Sequence, residues 1–491
     1  MALAKCGGTM KRLRGATLTV TLAGLLVTTV ALGATLTWTS AKFVALPVGG
    51  VGFYQGQFSS LGCTTGGNCV ASGSYQTKSG AIRTVVDNEI KGVWQSAHAL
   101  AAPTDANATS GMTVYGASCG APGSCVLVGS YQDASGNVQA FTAGTRANVW
   151  STPRKVSLPA NAPAHETNAL LRSVDCSSAG NCSAVGTYLD ATAGFARTLV
   201  MATSEVNGNW QRATELTLPS DTNANSFASL NQISCAGVGE CVAVGSYIDH
   251  DGVTRPLVVT QVNNQWRRAQ TLALPGNASA YAGATLSGVT CSATNACTAT
   301  GTYNNDAGQV EGLAASMTAG VWQRGVELTM PQDALVNPQV FFYGFSDVAC
   351  SSPGNCATGG QYRDRQGRYQ GFVDSQVNGT WQRASEVLLP GGATQAGKNG
   401  GVVALSCPAK GNCRAGAAYD DANGNYQALT ITQTNGRWNT GQKVALPQGA
   451  TSVGVAGGLY GLQCSTLTTC SAIGSYIDSG ANYQGFTLAS P

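Results

Sequence analysis

The residues best placed for chemistry are the cysteines. Seventeen occur in 491 residues; Cys6 stands alone near the N-terminus, and the other sixteen form eight pairs with five residues between partners. The pairs are Cys63 with Cys69, Cys119 with Cys125, Cys176 with Cys182, Cys235 with Cys241, Cys291 with Cys297, Cys350 with Cys356, Cys407 with Cys413 and Cys464 with Cys470. Paired thiols ligate zinc or close a disulfide. Zinc ribbons and fingers favour two to four intervening residues and need further cysteines or histidines; this chain has only His98, His165 and His250. Local disulfides in an exported protein fit better, each worth about 2 kcal/mol in the chain-entropy model.

Other side chains invite a chemical reading and mostly resist it. Asp133, Asp190, Asp249, Asp364, Asp421 and Asp478 each follow a tyrosine by two residues and lead into a glycine-bearing turn. The run Asp420-Asp-Ala-Asn-Gly-Asn425 resembles part of a calcium loop, yet the bidentate Glu that ends such loops is missing. An Asp before a glycine turn also caps turn N–H groups, so turn chemistry is expected, with calcium the alternative and no other cofactor. Gly116-Ala-Ser-Cys-Gly120 matches G-x-S-x-G, but no strand–turn–helix surrounds it and its cysteine belongs to a pair. No histidine is placed for a serine triad, and no catalytic set is readable. One sector departs from its surroundings. Phe341, Phe342, Tyr343 and Phe345 precede Cys350 in the longest such connection, and Arg363, Arg365 and Arg368 follow Cys356. Rings that stack on sugars and guanidinium groups that grip anions make these seven the candidate ligand-binding residues.

The elements that position them form a repeat. First cysteines of successive pairs lie 56, 57, 59, 56, 59, 57 and 57 residues apart, a period that signals a propeller, a solenoid or a domain array. Each unit reads as four antiparallel strands, here lettered A to D. A ends at the first cysteine, B starts at the second, C follows a turn, and D is headed by tryptophan after a tight turn such as Asn207-Gly208. The final unit stops after strand C, while Trp38-Thr-Ser-Ala-Lys-Phe-Val-Ala-Leu-Pro47 matches Trp438-Asn-Thr-Gly-Gln-Lys-Val-Ala-Leu-Pro447. A unit split between the termini suits a ring closed by its N-terminal strand, because closure leaves no incomplete sheet edge. The expected fold is all-β, an eight-bladed propeller of four-stranded blades with one disulfide each. By that geometry the D–A and B–C connections share one face, bringing the aromatics to the arginines.

The hairpin between strands C and D resembles the Asp-box repeat of bacterial neuraminidases, which reads S-x-D-x-G-x-T-W. Here it reads Ser204-Glu-Val-Asn-Gly-Asn-Trp210, Ser375-Gln-Val-Asn-Gly-Thr-Trp381 and Thr432-Gln-Thr-Asn-Gly-Arg-Trp438. The hydroxyl residue, the turn glycine and the tryptophan are matched, the aspartate is absent, and the turn is one residue shorter. The resemblance implies a sialidase-like propeller scaffold. Sialidases also imply an arginine cluster, a Tyr/Glu nucleophile pair and a general acid, none of which maps onto this chain residue by residue.

Composition agrees with stacked sheets in an exported protein. Charged residues are 10% of the chain, against roughly 25% in ordinary soluble proteins. Twenty-seven basic and 24 acidic side chains give a net +3 with no long basic tract, which excludes a nucleic-acid partner. Lys5, Lys11, Arg12 and Arg14 precede an uncharged run over 15–34. This reads as a signal peptide over 1–33 or, if uncleaved, a membrane anchor, leaving 34–491 as one propeller domain. The expectation is a monomeric, secreted or cell-surface module that binds an extracellular glycan or protein without catalysis. The alternative is a divergent sialidase-like glycoside hydrolase or lyase.

Overall fold

The strands form where β-branched and small residues alternate between turn signals. In strand B of the fourth unit, Glu240–Ile248, Cys241, Val242, Ala243, Val244 and Gly245 are all buried, so neither face meets solvent. A sheet sandwiched between two others requires this, and it explains why charges are scarce. The C–D hairpins turn through two left-handed residues, as at Asn207 (φ 50°) and Gly208 (φ 81°). That is the backbone of a type I′ turn, whose twist matches that of its strands. The computed structural model describes residues 38 and 40–490 apart from 191–196, 224–226, 336–344, 394–400 and 451–456.

Eight antiparallel sheets result, each ordered A–B–C–D. Blade 2, for example, comprises Met112–Ala121, Ser124–Gln132, Val138–Arg146 and a divided outer strand, Val149–Trp150 and Arg154–Lys155. The division departs from the single Trp-headed strand D expected from sequence, and its cause is visible. Midway along D the chain leaves its own strand C and donates an N–H to the outer strand of the preceding blade. Such bonds run from Ala213 to Ser157 (2.8 Å), Ala269 to Thr217 (2.9 Å), Gly325 to Ala273 (2.7 Å), Ala384 to Thr329 (2.8 Å) and Gly441 to Leu388 (2.7 Å). Arg212, Arg268, Arg324 and Arg383 add side-chain bonds to carbonyls of the same neighbouring strand. An outer belt therefore ties blade to blade.

The ring closes as expected. Lys42–Phe43 pairs with Tyr483–Ala489, placing Lys42 opposite Thr487 and Phe43 opposite Phe486. The Ala41 N–H donates to the Ala445 carbonyl, which continues the belt across the closure (3.2 Å). Trp94 of blade 1 donates its indole N–H to the Leu488 carbonyl of blade 8 (3.2 Å). The core is distributed rather than central. Val44, Phe53, Phe58, Ala71, Val85, Trp94 and Ile473 form one buried cluster across the closing seam, and like clusters fill the other seams.

All eight expected disulfides are formed, each across the A–B hairpin of one blade. In blades 1 to 4, Cys63 is bonded to Cys69, Cys119 to Cys125, Cys176 to Cys182 and Cys235 to Cys241. In blades 5 to 8, Cys291 is bonded to Cys297, Cys350 to Cys356, Cys407 to Cys413 and Cys464 to Cys470. Eight such bonds suit an oxidising, extracellular-type environment. Among the described residues no helix is long and apolar enough to cross a membrane.

Candidate functional site

Strand A is innermost, so one edge of it has no strand neighbour and its N–H groups need other partners. Side chains from the preceding blade supply them around the axis. The Cys176 N–H donates to Ser118 Oγ (3.0 Å), Cys235 to Asp175 (2.7 Å), Cys291 to Ser234 Oγ (3.0 Å) and Cys464 to Ser406 Oγ (3.0 Å). Cys63 donates to Gln463 Oε1 at 2.7 Å, which completes the stitch across the ring closure.

The A–B pairings share one slip in all eight blades, four residues before the first cysteine. The slip is a β-bulge, which leaves one residue unpaired and re-aims its side chain. The bulged residues are Ser59, Tyr115, Arg172, Asn231, Ser287, Ser346, Val403 and Tyr460. The bulge recurs in all eight blades while the residue type does not. Tyr115, Val403 and Tyr460 stand at one end of an axial cavity of about 780 Å³. The Arg172 guanidinium lies over the Tyr115 ring, 5.8 Å from its centroid. Below this collar the wall is built mainly of Ser, Thr, Gly, Ala and Val, and the first cysteines mark the other end.

Two carboxylates, Asp175 and Asp347, line the cavity. Asp175 accepts from Ser118, Cys176 and Cys235; Asp347 accepts from Val348 and Leu405. Gln232 accepts the Val289 N–H at 2.6 Å and its side chain reaches Asp347, joining blades 4, 5 and 6. Burial pushes both carboxyls above the usual range, Asp347 to about 6, although the N–H donors pull in the other direction. Both oxygens of each carboxylate accept hydrogen bonds, and each aspartate thereby joins its blade to its neighbours.

The sector singled out from sequence has a different local geometry. D–A and B–C connections do meet on one face, through bridges such as Ala334 with Asp364 and Ala393 with Asp421. The three arginines diverge there. Arg363 lies over the Tyr369 ring at 4.7 Å, Arg365 donates to the Gln332 carbonyl (2.9 Å), and Arg368 pairs with the buried Asp364 carboxylate (2.6 Å). Phe341, Phe342 and Tyr343 lie outside the described residues. Phe345 opens strand A of blade 6 opposite Gly360, and its side chain is likewise outside them.

The turn aspartates behave as caps. Asp421 accepts the N–H groups of Asn423 (2.9 Å) and Asn425 (3.0 Å) through one oxygen and Gln427 Nε2 (2.9 Å) through the other. Burial works to raise its pKa, and these hydrogen bonds outweigh it, leaving the carboxyl below its ordinary range. Among the described residues no group of three metal-ligating His, Cys, Asp or Glu side chains gathers. The strand-B tyrosines are buried, and five donate to carboxylates on strand D or the connection after it. They are Tyr131 to Asp105 (2.7 Å), Tyr188 to Glu215 (2.9 Å), Tyr247 to Asp221 (3.0 Å), Tyr303 to Glu327 (2.7 Å) and Tyr362 to Asp333 (2.9 Å). A Tyr–carboxylate contact repeated around the ring fastens loops rather than marking one catalytic centre.

No protein-family model matches the chain, and no curated protein matches it, so the Asp-box resemblance rests on the hairpin residues alone. Solved structures match it only at low similarity. A fucose-specific lectin from Aleuria aurantia is 13% identical, with a TM-score of 0.32, over 68% of this chain and 96% of the lectin. The NanB sialidase of Streptococcus pneumoniae is 9% identical, with a TM-score of 0.34, over 93% of this chain and 70% of the sialidase. A polysaccharide lyase, an ulvan lyase, is 10% identical, with a TM-score of 0.41, over 92% of this chain and 95% of the lyase. Likenesses this distant carry no chemistry from those proteins to this one.

Proposed function

We propose that the chain is a non-catalytic binding module of the cell exterior that takes a glycan at the axial cavity. The bulge collar carries this reading. Its backbone geometry repeats in all eight blades, as a scaffold feature should, while its side chains differ, as a recognition surface requires. Two half-exposed tyrosines and an arginine offer ring faces and a fork of N–H donors to a sugar above a hydroxyl-lined wall. The employment of Asp175 and Asp347 in joining blades favours binding over hydrolysis. A glycosidase needs one carboxyl group free to give a proton and a second free to attack or to activate water.

A glycan array on the purified protein tests the reading. A bound glycan should lose about tenfold in affinity, roughly 1.4 kcal/mol, on Tyr115→Ala or Tyr460→Ala, with the melting temperature preserved. Binding untouched by both changes, or confined to protein ligands, would overturn it.

A further inference from the structure

Several seams between blades share one hydrogen-bonding device, and the seam between blades 2 and 3 lacks the side chain for it. Six residues before the outer-strand tryptophans of blades 1 to 7 stand Asn88, Gly144, Ser204, Thr260, Ser316, Ser375 and Thr432. In four seams the next blade uses this side chain as a partner. Trp150 donates to Asn88 (3.3 Å), Gln261 to Ser204 (3.0 Å), Gln376 to Ser316 (3.2 Å), and both Gln433 (2.8 Å) and Trp438 (3.0 Å) to Ser375. Between blades 2 and 3 the position is Gly144, which has no side chain to offer. The residue of blade 3 that would use it is Glu205, and its buried Oε2 has no hydrogen-bond partner.

The backbone does not require this glycine. Its φ is not left-handed, and a Cβ there would meet nothing nearer than the Cys125 carbonyl oxygen at 3.8 Å. Gly129 of the same blade makes the contrast, since a Cβ there would sit 1.9 Å from the Thr113 oxygen. Where Gly144 stands, a cleft of about 1310 Å³ opens on the face of the A–B and C–D hairpins. The equivalent seam between blades 6 and 7, which keeps Ser375, encloses about 600 Å³.

The same wall of blade 2 departs from the repeat in charge. Arg146 stands where other blades carry Ile90, Val206, Val262, Thr318, Val377 and Thr434. Arg154 and Lys155 form the second outer piece of blade 2, where blades 3, 4 and 6 have Thr214–Glu215, Gln270–Thr271 and Ser385–Glu386; blades 7 and 8 carry one lysine each there, Lys443 and Lys42, and two adjacent cations occur in blade 2. Lys155 also approaches Asp105 at 3.8 Å, an exposed contact of little strength. Trp150 and Trp210 complete the lining. Three cations against Glu205 give the cleft 3 − 1, or +2, in a chain whose charged residues are only 10%.

We propose that the cleft between blades 2 and 3 is a second ligand site, independent of the axial cavity, that takes an acidic saccharide bearing carboxylate or sulfate groups. Arg146, Arg154 and Lys155 meet the anionic substituents, with arginine able to hold them through two N–H donors. Trp150 and Trp210 offer ring surface to the sugar, and Glu205 accepts from its hydroxyls, the partner that a serine provides in other seams.

Tryptophan fluorescence titration tests the site with four probes: a uronate tetrasaccharide from alginate, a chondroitin sulfate tetrasaccharide, neutral cellotetraose and tetraglutamate. At least one acidic saccharide should bind about tenfold tighter than both controls and weaken with added salt; the uronate and sulfate arms identify the anionic group. Gly144→Ser, which restores the repeat, should reduce that binding about tenfold without lowering the melting temperature, and Arg146→Gln should reduce it likewise. Tyr115→Ala should leave it unchanged, which separates this site from the axial one. Equal binding of cellotetraose or tetraglutamate, no binding of either acidic saccharide, or full binding by Gly144→Ser would each overturn the proposal.

Discussion

Removing residues 36–47 is the sharpest perturbation of the ring, because it takes the outer strand from blade 8 and leaves every other blade whole. Val44 is 3% exposed in the closing seam, and its burial is worth about 2 kcal/mol. Trp38 packs half-buried against the core of blade 8 and contributes about 2 kcal/mol. The N–H of Val44 bonds to the Gly485 carbonyl at 3.0 Å and that of Ala41 to the Ala445 carbonyl at 3.2 Å. Each adds about 1 kcal/mol net. The loss totals about 6 kcal/mol, a large share of the roughly 5–15 kcal/mol that holds a typical domain. The truncated protein should melt on the order of 10 °C lower. It should also associate through the bared edge of Tyr483–Ala489, visible in sedimentation velocity. A circular permutant that moves residues 35–47 behind Pro491 through a short linker should regain the full melting temperature. A truncated chain as stable and as monomeric as the full one would refute ring closure as the source of this stability.

Two further outcomes follow from groups in the seams. Burial raises Asp87 and Glu89 to about 7, and each keeps one oxygen unpartnered. Stability from their neutral forms is complete below the ordinary carboxylate range and is lost as pH rises through about 7. The hydrogen-bonded turn aspartates, shifted downward, lose stability only in acid below that range and do not offset the change. Melting temperature should therefore fall between pH 5 and pH 8, and Asp87→Asn should flatten the slope; a rise over that interval would contradict the assignment. Asp175→Ala strands the Cys235 N–H and takes the acceptor from the Ser118 hydroxyl, while the Cys176 N–H keeps Ser118 Oγ; it should cost about 2 kcal/mol in urea unfolding, and Asp175→Asn, which keeps an acceptor, should cost less. Equal losses would show that the stitch does not depend on accepting those bonds.

Much of the fold was legible because it is written eight times. Cysteine spacing, the Trp-headed hairpins and the unit split between Trp38 and Leu488 sufficed for blade number, disulfide pairing and closure. The divided outer strand was not legible, since it depends on Ala213, Ala269 and their equivalents bonding to the blade before, a contact between units that no single unit displays. The bulges at Tyr115 and Tyr460 were hidden for a related reason: the glycine that follows each, Gly116 and Gly461, does not recur in most blades, where Ser60, Ser173, Gln232, Asp347 and Ala404 stand instead. Among the candidate residues, Arg368 looked free in the sequence, but the carboxylate that holds it, Asp364, is the cap of its own turn. The blade 2–3 cleft did leave a signal. Aligning the units on their tryptophans sets Gly144 against Ser204, Ser316 and Ser375, and Arg146 against Val206, Val262 and Val377.

The most direct test of glycan binding without turnover is a crystal structure of the protein with its best array ligand. The expected result is an intact glycan at the axial cavity, in contact with Tyr115 and Tyr460, with Asp175 and Asp347 still holding the N–H groups of Cys235 and Leu405. A cleaved glycan, a covalent link to either aspartate, or a ligand seated away from the collar would contradict it.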